Sequence, residues 1–362
     1  MPWLLLIILI PYIFFIIRIH LALAKIKPFS PEAVPGKFVS VVVACRNEQT
    51  TLPMLMSDVA VQDYDPELFE LIVVNDNSSD STLETASTFK GIKNLKVINS
   101  DGKGKKKAIR SGVEASSGSI IITTDADCRV GTGWLRTIMS FEAMHKPEMI
   151  ICPVRLEGGS GFFHRFQEIE FLSLQGITAG TAVSGDPVMC NGAALAFRRE
   201  EYLKHAGNLH DELVSGDDVF LLHSMKEDSG KTILWLESEE ASVTTHASGN
   251  LFSFLRQRGR WISKAGSYSD GFTKLLAIVT FVTISVQLLL LVAGLFSKVF
   301  IGVFAVYFVL KSIPDFIFLS GTAERYGKKS LMRWFLPSQL IYPFYVLAII
   351  PFSMAKSEKW TG

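Results

Sequence analysis

The feature that most constrains this chain is where its apolar residues lie. The run from Trp3 to Ile17 is almost wholly apolar and, past Arg18 and His20, continues through Leu21 to Ala24, long enough for one helix to cross a bilayer. Three more apolar spans follow at roughly Leu275–Leu295, Val299–Leu319 and Phe335–Met354. Between them, about Lys37 to about Lys264 has ordinary globular composition and enough length to bury a substantial core. A hydrophobic content of 48% and a mean hydropathy of +0.30 reflect those ends and are too apolar for an ordinary soluble protein. The expected organisation is an anchor over 1–27, a globular domain over 37–264 and three membrane helices over 272–356.

Charge gives an orientation. The first run lacks the basic leader and small-residue cleavage site of a signal peptide, so it reads as a retained anchor. Lys25 and Lys27 follow it, and Arg325, Lys328, Lys329 and Arg333 fill the link before the last span. By the positive-inside rule both flanks face the cytoplasm, which puts the central domain there and both termini outside. The expected location is the bacterial inner membrane, as a multi-pass integral protein with its central domain cytoplasmic. A net charge of +1 excludes the electrostatic footprint of a nucleic-acid binder. Cys45, Cys128, Cys152 and Cys190 lie too far apart for a zinc motif or a disulfide framework and read as free thiols.

From Phe38 onward short β-branched runs alternate with helix-like stretches. Phe38–Ala44 is a near-continuous apolar strand of the buried parallel type, and further strands read at Leu71–Val74, Leu95–Ile98, Ile120–Thr123 and Met149–Val154. Helical candidates separate them at Leu52–Val61, Thr82–Phe89 and Lys105–Ala115. This rhythm predicts an α/β fold with a mostly parallel sheet covered by helices, whose ligands sit beyond the carboxyl ends of the strands. Polar clusters fall at those ends: Arg46-Asn47-Glu48, then Asn75 through Asp80, then Thr124-Asp125-Ala126-Asp127. Capping and turn formation account for Ser78, Ser79 and Asp80 as well as ligand contact does.

Asp125 and Asp127 put two carboxylates on alternate residues at the end of an apolar strand, costly unless a cation offsets their repulsion. Oxygen ligands of this kind suit Mg2+ or Mn2+ carrying a substrate diphosphate. Asp217-Asp218 opens a probable helix, where acids also sit well with the helix dipole; the chemical reading is a general base, with Asp218 in that role. Arg256-Gln257-Arg258-Gly259-Arg260-Trp261 precedes the first C-terminal span, either as an interfacial belt or as a diphosphate clamp with a sugar-stacking ring.

Together these landmarks resemble glycosyltransferase family 2 of the GT-A fold, over roughly Lys37 to Lys264. The family's Q-x-x-R-W motif stands here as Gln257 to Trp261, and its E-D or D-D motif as Asp217-Asp218. The resemblance implies a Rossmann-like sheet with helices on both faces, flanked by membrane helices. It implies that Glu48 and Asp76 hold the uracil and ribose of a nucleotide-sugar donor, with Lys105 nearby and Asp125 facing the nucleotide. Lys105 stands in a run of lysines, so its register is open by a residue. Asp127 would be the metal ligand, Asp218 the base, Gln257 and Arg260 contacts to the diphosphate, and Asp217 and Trp261 part of the acceptor site.

Cys190 to Arg199 resembles the family's small-residue loop beneath the acceptor, although its glycine and alanines also suit tight packing. Gly216 precedes the acidic pair where polymer synthases usually carry T-E-D, which weakens a processive reading. The expected activity is inverting transfer to a lipid-linked or membrane-proximal glycan acceptor. A processive polysaccharide synthase and a non-catalytic nucleotide-binding membrane scaffold are the alternatives. Lys311 and Asp315, inside a span, read as a mutual helix-face pair, the aromatic helix Phe162–Leu172 as ordinary packing, and His246 as structural.

Overall fold

The structure is a computed structural model that describes residues 2–31, 36–211, 213, 215–228 and 230–354. It divides into two compact units. Among the described residues, one gathers 27–157 and 189–246; the other gathers 2–26, 158–188 and 247–354.

The first unit is α/β. Its strands are β1 (Val39–Cys45), β2 (Phe69–Asn75), β3 (Leu95–Asn99), β4 (Ile120–Asp125), β5 (Arg129–Val130), β6 (Met149–Ile151), β7 (Val154–Glu157), β8 (Leu195–Arg198), β9 (Ile233–Trp235) and β10 (Val243–His246). Seven of them form one sheet in the order β3-β2-β1-β4-β8-β6-β9. β1, β2, β3 and β4 pair in parallel, β8 runs antiparallel to β4 and β6, and β6 pairs in parallel with β9. β1 and β2 are buried along their whole length, as their runs of Val, Ile and Leu anticipate.

Where one strand was expected over Met149–Val154, two occur. Pro153 stands at the break, since it has no N–H to give to a ladder. β6 ends at Ile151, and β7 joins a second, three-stranded sheet in the order β5-β10-β7.

Register brings the polar clusters to one level. Cys45 at the end of β1 lies opposite Asn75 of β2, Ala44 lies opposite Asp125 of β4, and Asn75 lies opposite Asn99 of β3. Helices α2 (Leu52–Ala60), α3 (Thr82–Thr88), α4 (Lys105–Ala115) and α5 (Trp134–His145) connect the strands. α4 lies close on the sheet at Gly112, where a Cβ would stand 2.4 Å from Val42 Cγ1 and 3.0 Å from Val74 Cγ2.

The second unit holds α1 (Leu9–Ala24), α6 (Phe162–Val183), α9 (Leu251–Ile262), α10 (Gly271–Gly294), α11 (Lys298–Arg325) and α12 (Phe335–Met354); α7 (Arg199–His205) and α8 (Asp217–Glu227) belong to the first. Among the described residues, four segments are long and apolar enough to cross a membrane: Pro2–Ala24, Gly271–Gly294, Lys298–Arg325 and Lys329–Met354. Their outward faces carry large apolar side chains such as Ile10, Ile278, Ile313 and Phe344, the surface a lipid environment favours.

Small residues let these helices meet. Gly180 of α6 lies against Ile19 of α1, where a Cβ would come within 2.5 Å of the isoleucine side chain and 2.7 Å of its carbonyl oxygen. The expected Lys311–Asp315 pair is present at 2.6 Å, and Tyr12 Oη also donates to Asp315 (2.7 Å) while Gln339 bonds to both charges. The aromatic start of α6 packs as expected: Phe166 is buried with Phe254 of α9 and Tyr345 of α12.

Candidate active site

The loops after β1 and β2 lock each other. Asn47 and Asn77 adopt positive φ, +58° and +54°, which asparagine tolerates better than most residues. Ser79 N–H donates to Asn47 Oδ1 (2.8 Å), and the Glu48 N–H donates to Thr82 Oγ1 (2.8 Å). Asp80 accepts from the Thr82 N–H (3.0 Å) and the Gln49 N–H (3.3 Å). The Ser78–Asp80 stretch thus ties loops and the start of α3 together. Asp76 is fully buried; it accepts from the Gly104 N–H (2.9 Å), and Arg46 Nη1 stands 3.7 Å away. Gly104 precedes α4 with φ +101°, a conformation that strains any side chain, and this turn delivers Lys105 to the sheet edge.

The lysine run resolves into three roles. Lys105 Nζ pairs with Asp125, Lys106 is buried toward the chain at 209–210, and Lys107 is exposed. Burial would lower the Lys105 ammonium, but Asp125, then Asp217 and Asp218, overcome it and hold its pKa above the usual lysine range. Glu48 is shifted upward by burial, and by Asp127 and Asp125, against a hydrogen bond from Thr51. Crowding by protein around its carboxyl, and then Asp125, raise Asp127 as well. Lys105 opposes the upward shift at Asp127. Asp125 and Asp127 offer carboxylate oxygens, the donor type that suits a hard divalent cation such as Mg2+ or Mn2+.

Asp217 and Asp218 open α8, and both line a small pocket with Lys105, Thr123, Gly192 and Tyr202. Asp218 is held by backbone: the Gly192 N–H donates to Oδ2 (2.9 Å) and the Val219 N–H to Oδ1 (2.8 Å). Thr123 Oγ1 in turn donates to the Gly192 carbonyl (2.7 Å). A Cβ on Gly192 would meet Asp218 only at an ordinary 3.5 Å, so what this loop supplies is an N–H rather than space. Thr123 and Tyr202 carry no motif signal of their own, whereas Arg46 stands in the first polar cluster.

Glu48, Asp76, Lys105, Asp125, Asp127, Asp217 and Asp218 thus all belong to the α/β unit. Gln257, Arg260 and Trp261 belong to the helical unit, on α9. The organising residue of that motif is Arg258, which sequence reasoning left without a role. Its guanidinium is buried, donates to Glu170 (2.7 Å from Nη2, 3.0 Å from Nε) and to Gln257 Oε1 (2.6 Å), and lies 4.1 Å from the Trp261 ring centroid. Tyr345 Oη donates to the same Glu170 (2.9 Å). Gly259 lets α9 approach α12, since a Cβ there would fall 2.6 Å from Phe352 Cβ. Glu201, His205 and Asp228 bring ligand atoms within 4.8 Å of one another at the other end of α8. Lys231 pairs with Glu201 at 2.6 Å and Lys204 with Asp228, so this cluster reads as an ion-pair network.

A parallel sheet, three acidic loops at its carboxyl edge and an acid-headed helix facing them are the arrangement that comparison with known proteins resolves. Residues 40–207 match the glycosyl transferase family 2 model. The matched segment runs from Ser40 within β1 past β8 and ends before Asp217. Over 182 residues the chain is 27% identical to the poly-beta-1,6-N-acetyl-D-glucosamine synthase of Staphylococcus epidermidis, covering 49% of this chain and 43% of that protein. Over 194 residues it is 27% identical to glycosyltransferase AglE of Haloferax volcanii, covering 50% and 59%. The chain therefore spans less than two thirds of these relatives. The mannosyltransferase PcManGT from Pyrobaculum calidifontis, solved with GDP-Man and Mn2+, superposes with a TM-score of 0.65 over 99% of this chain and 100% of that one, at 16% identity. That likeness is one of fold, and it makes the α/β architecture flanked by apolar helices a GT-A one.

Proposed function

We propose that this protein is a membrane-anchored, inverting glycosyltransferase with its α/β unit on the cytoplasmic side. It takes a sugar from a nucleotide diphosphate, with a UDP-sugar the first choice, and gives it to a lipid-linked or membrane-proximal glycan acceptor. The observation that carries this reading is Asp218. It sits in one pocket with Lys105, which pairs with the D-x-D acid Asp125 at the edge of a family 2 segment. The solved relative's GDP-Man and Mn2+ support a nucleotide-sugar donor and a divalent ion.

In this reading Asp218 accepts the proton of the acceptor hydroxyl as its oxygen bonds to the anomeric carbon. The bond from that carbon to the diphosphate oxygen breaks on the opposite face, and the nucleotide diphosphate leaves. One displacement inverts the centre, so an α-linked donor gives a β-linked product. The two N–H donors on Asp218 fix its carboxylate and spread its charge. Lys105 offsets Asp125, and Asp76 and Glu48 hold the nucleoside. A Mg2+ or Mn2+ held by Asp127 would offset charge on the leaving diphosphate. The roles of Gln257 and Arg260 at the diphosphate, and of Asp217 and Trp261 at the acceptor, rest on the family resemblance.

The test is Asp218→Asn in detergent-solubilised protein, assayed against a panel of nucleotide sugars with Mg2+ or Mn2+. Transfer should fall by at least a hundredfold while nucleotide affinity stays within about threefold, because base catalysis contributes about 10²–10⁴ in rate. Normal turnover by that variant removes Asp218 from the role of base. A second reading, processive synthesis, is favoured by the Staphylococcus epidermidis relative. Products longer than one added sugar from a single encounter would select it.

A further inference from the structure

We propose that Lys106 is a positioning residue that holds the helix carrying Asp218; this rests on the reading of Asp218 as the base. Lys106 is only 5% exposed, and a buried ammonium is costly unless its donors are met. Its Nζ donates to the carbonyls of Leu209 (2.6 Å) and His210 (2.7 Å) and lies 4.8 Å from the centroid of Phe220, in the first turn of α8. Arg110, one turn further along α4, donates to the Ala206 carbonyl (2.5 Å) and pairs with Asp211 at 3.0 Å.

The segment Ala206–Asp211 is thus gripped by two cations of one helix face. His210 has a positive φ of +54°, and its ring packs on Phe220 with centroids 4.6 Å apart. A non-glycine residue keeps that conformation only where its surroundings impose it. Lys106, His210 and Phe220 form one stack at the head of α8, two residues beyond Asp218. Because Lys105 holds Asp125 from the same helix turn, α4 ties the donor-side acid and the base-bearing helix to a common support.

The experiment compares Lys106→Met, which keeps the stem over Phe220 and removes the donors, with the exposed neighbour Lys107→Met, in the full chain in detergent. The readouts are amide hydrogen exchange over 206–211 and steady-state transfer. Lys106→Met should speed exchange there at least tenfold, lower kcat at least tenfold and leave donor KM within twofold; Lys107→Met should leave all three unchanged. Unchanged exchange over 206–211 overturns the clamp. Equal changes in kcat and KM overturn it too, by placing the effect at the nucleotide through Lys105. Should Lys106→Met not fold, Arg110→Met carries the same exchange test. If the unaltered chain transfers no sugar from any donor tried, it is the activity reading that fails, and exchange still decides the clamp.

Discussion

Replacing Arg258 by Met tests what the central position of Gln257–Trp261 does. The guanidinium and the Glu170 carboxylate are 5% and 7% exposed and share three hydrogen bonds between 2.7 and 3.2 Å. Met keeps most of the stem and removes the charge, leaving Glu170 buried with Tyr345 as a donor. Removing one partner of a buried pair costs about 3–5 kcal/mol. At roughly 2 °C per kcal/mol, the low end for a chain of this size, the melting temperature should fall by about 6–10 °C. The double change Arg258→Met, Glu170→Met removes both charges. It should recover most of that loss, because apolar replacement of a buried pair is often neutral; the remaining cost is the acceptor lost to Tyr345, about 1 kcal/mol. The assay is thermal unfolding in detergent at one fixed scan rate, since membrane proteins often unfold irreversibly. A single variant melting within about 2 °C of the parent, or a double variant no better than the single, refutes the argument.

Two further predictions concern the α/β unit. Glu70 accepts from Ser40 Oγ and the Ser117 N–H, both at 2.6 Å, and pairs with Lys96; these contacts outweigh burial and hold its pKa below the ordinary glutamate range. A depressed folded-state value stabilises above the unfolded value of about 4.3 and is lost as pH falls through the folded one. The gap in melting temperature between the parent and Glu70→Gln should therefore narrow as pH drops below about 4.3, and parallel curves would contradict this. Gly112→Ala gains about 1 kcal/mol of helix propensity but drives its Cβ into Val42 and Val74. Overpacking of about 1–3 kcal/mol should win, and a raised melting temperature would show that α4 can lift off the sheet.

Much of the fold was legible because hydrophobic period and chemistry agree. β1 and β4 read as buried strands from their Val and Ile runs alone, and the acids after them could only lie at the carboxyl edge. The four apolar spans likewise announce themselves by length. What stayed hidden depends on contacts between residues distant in sequence. Thr123 and Gly192 bear on Asp218 only because β8 returns antiparallel beside β4. Lys105 and Lys106 are chemically identical, and only the direction of a helix face sends one to Asp125 and the other to Leu209 and His210. Arg258 fills a variable place in the motif, so its identity carried no signal until Glu170, 88 residues away, stood beside it.

The acids themselves argue for the order in which ligands arrive. In the α/β unit Glu48, Asp76, Asp125, Asp127, Asp217 and Asp218 gather at one sheet edge, and Arg46 and Lys105 already stand beside acids of that group. A diphosphate adds negative charge to a site where Glu48 and Asp127 are already pushed toward their neutral forms. Like charges about 4 Å apart cost about 4 kcal/mol at an effective dielectric constant near 20. Under the proposed reading, then, a donor enters favourably only with its own dication. On that reading these acids would favour a metal-bound diphosphate over a bare one.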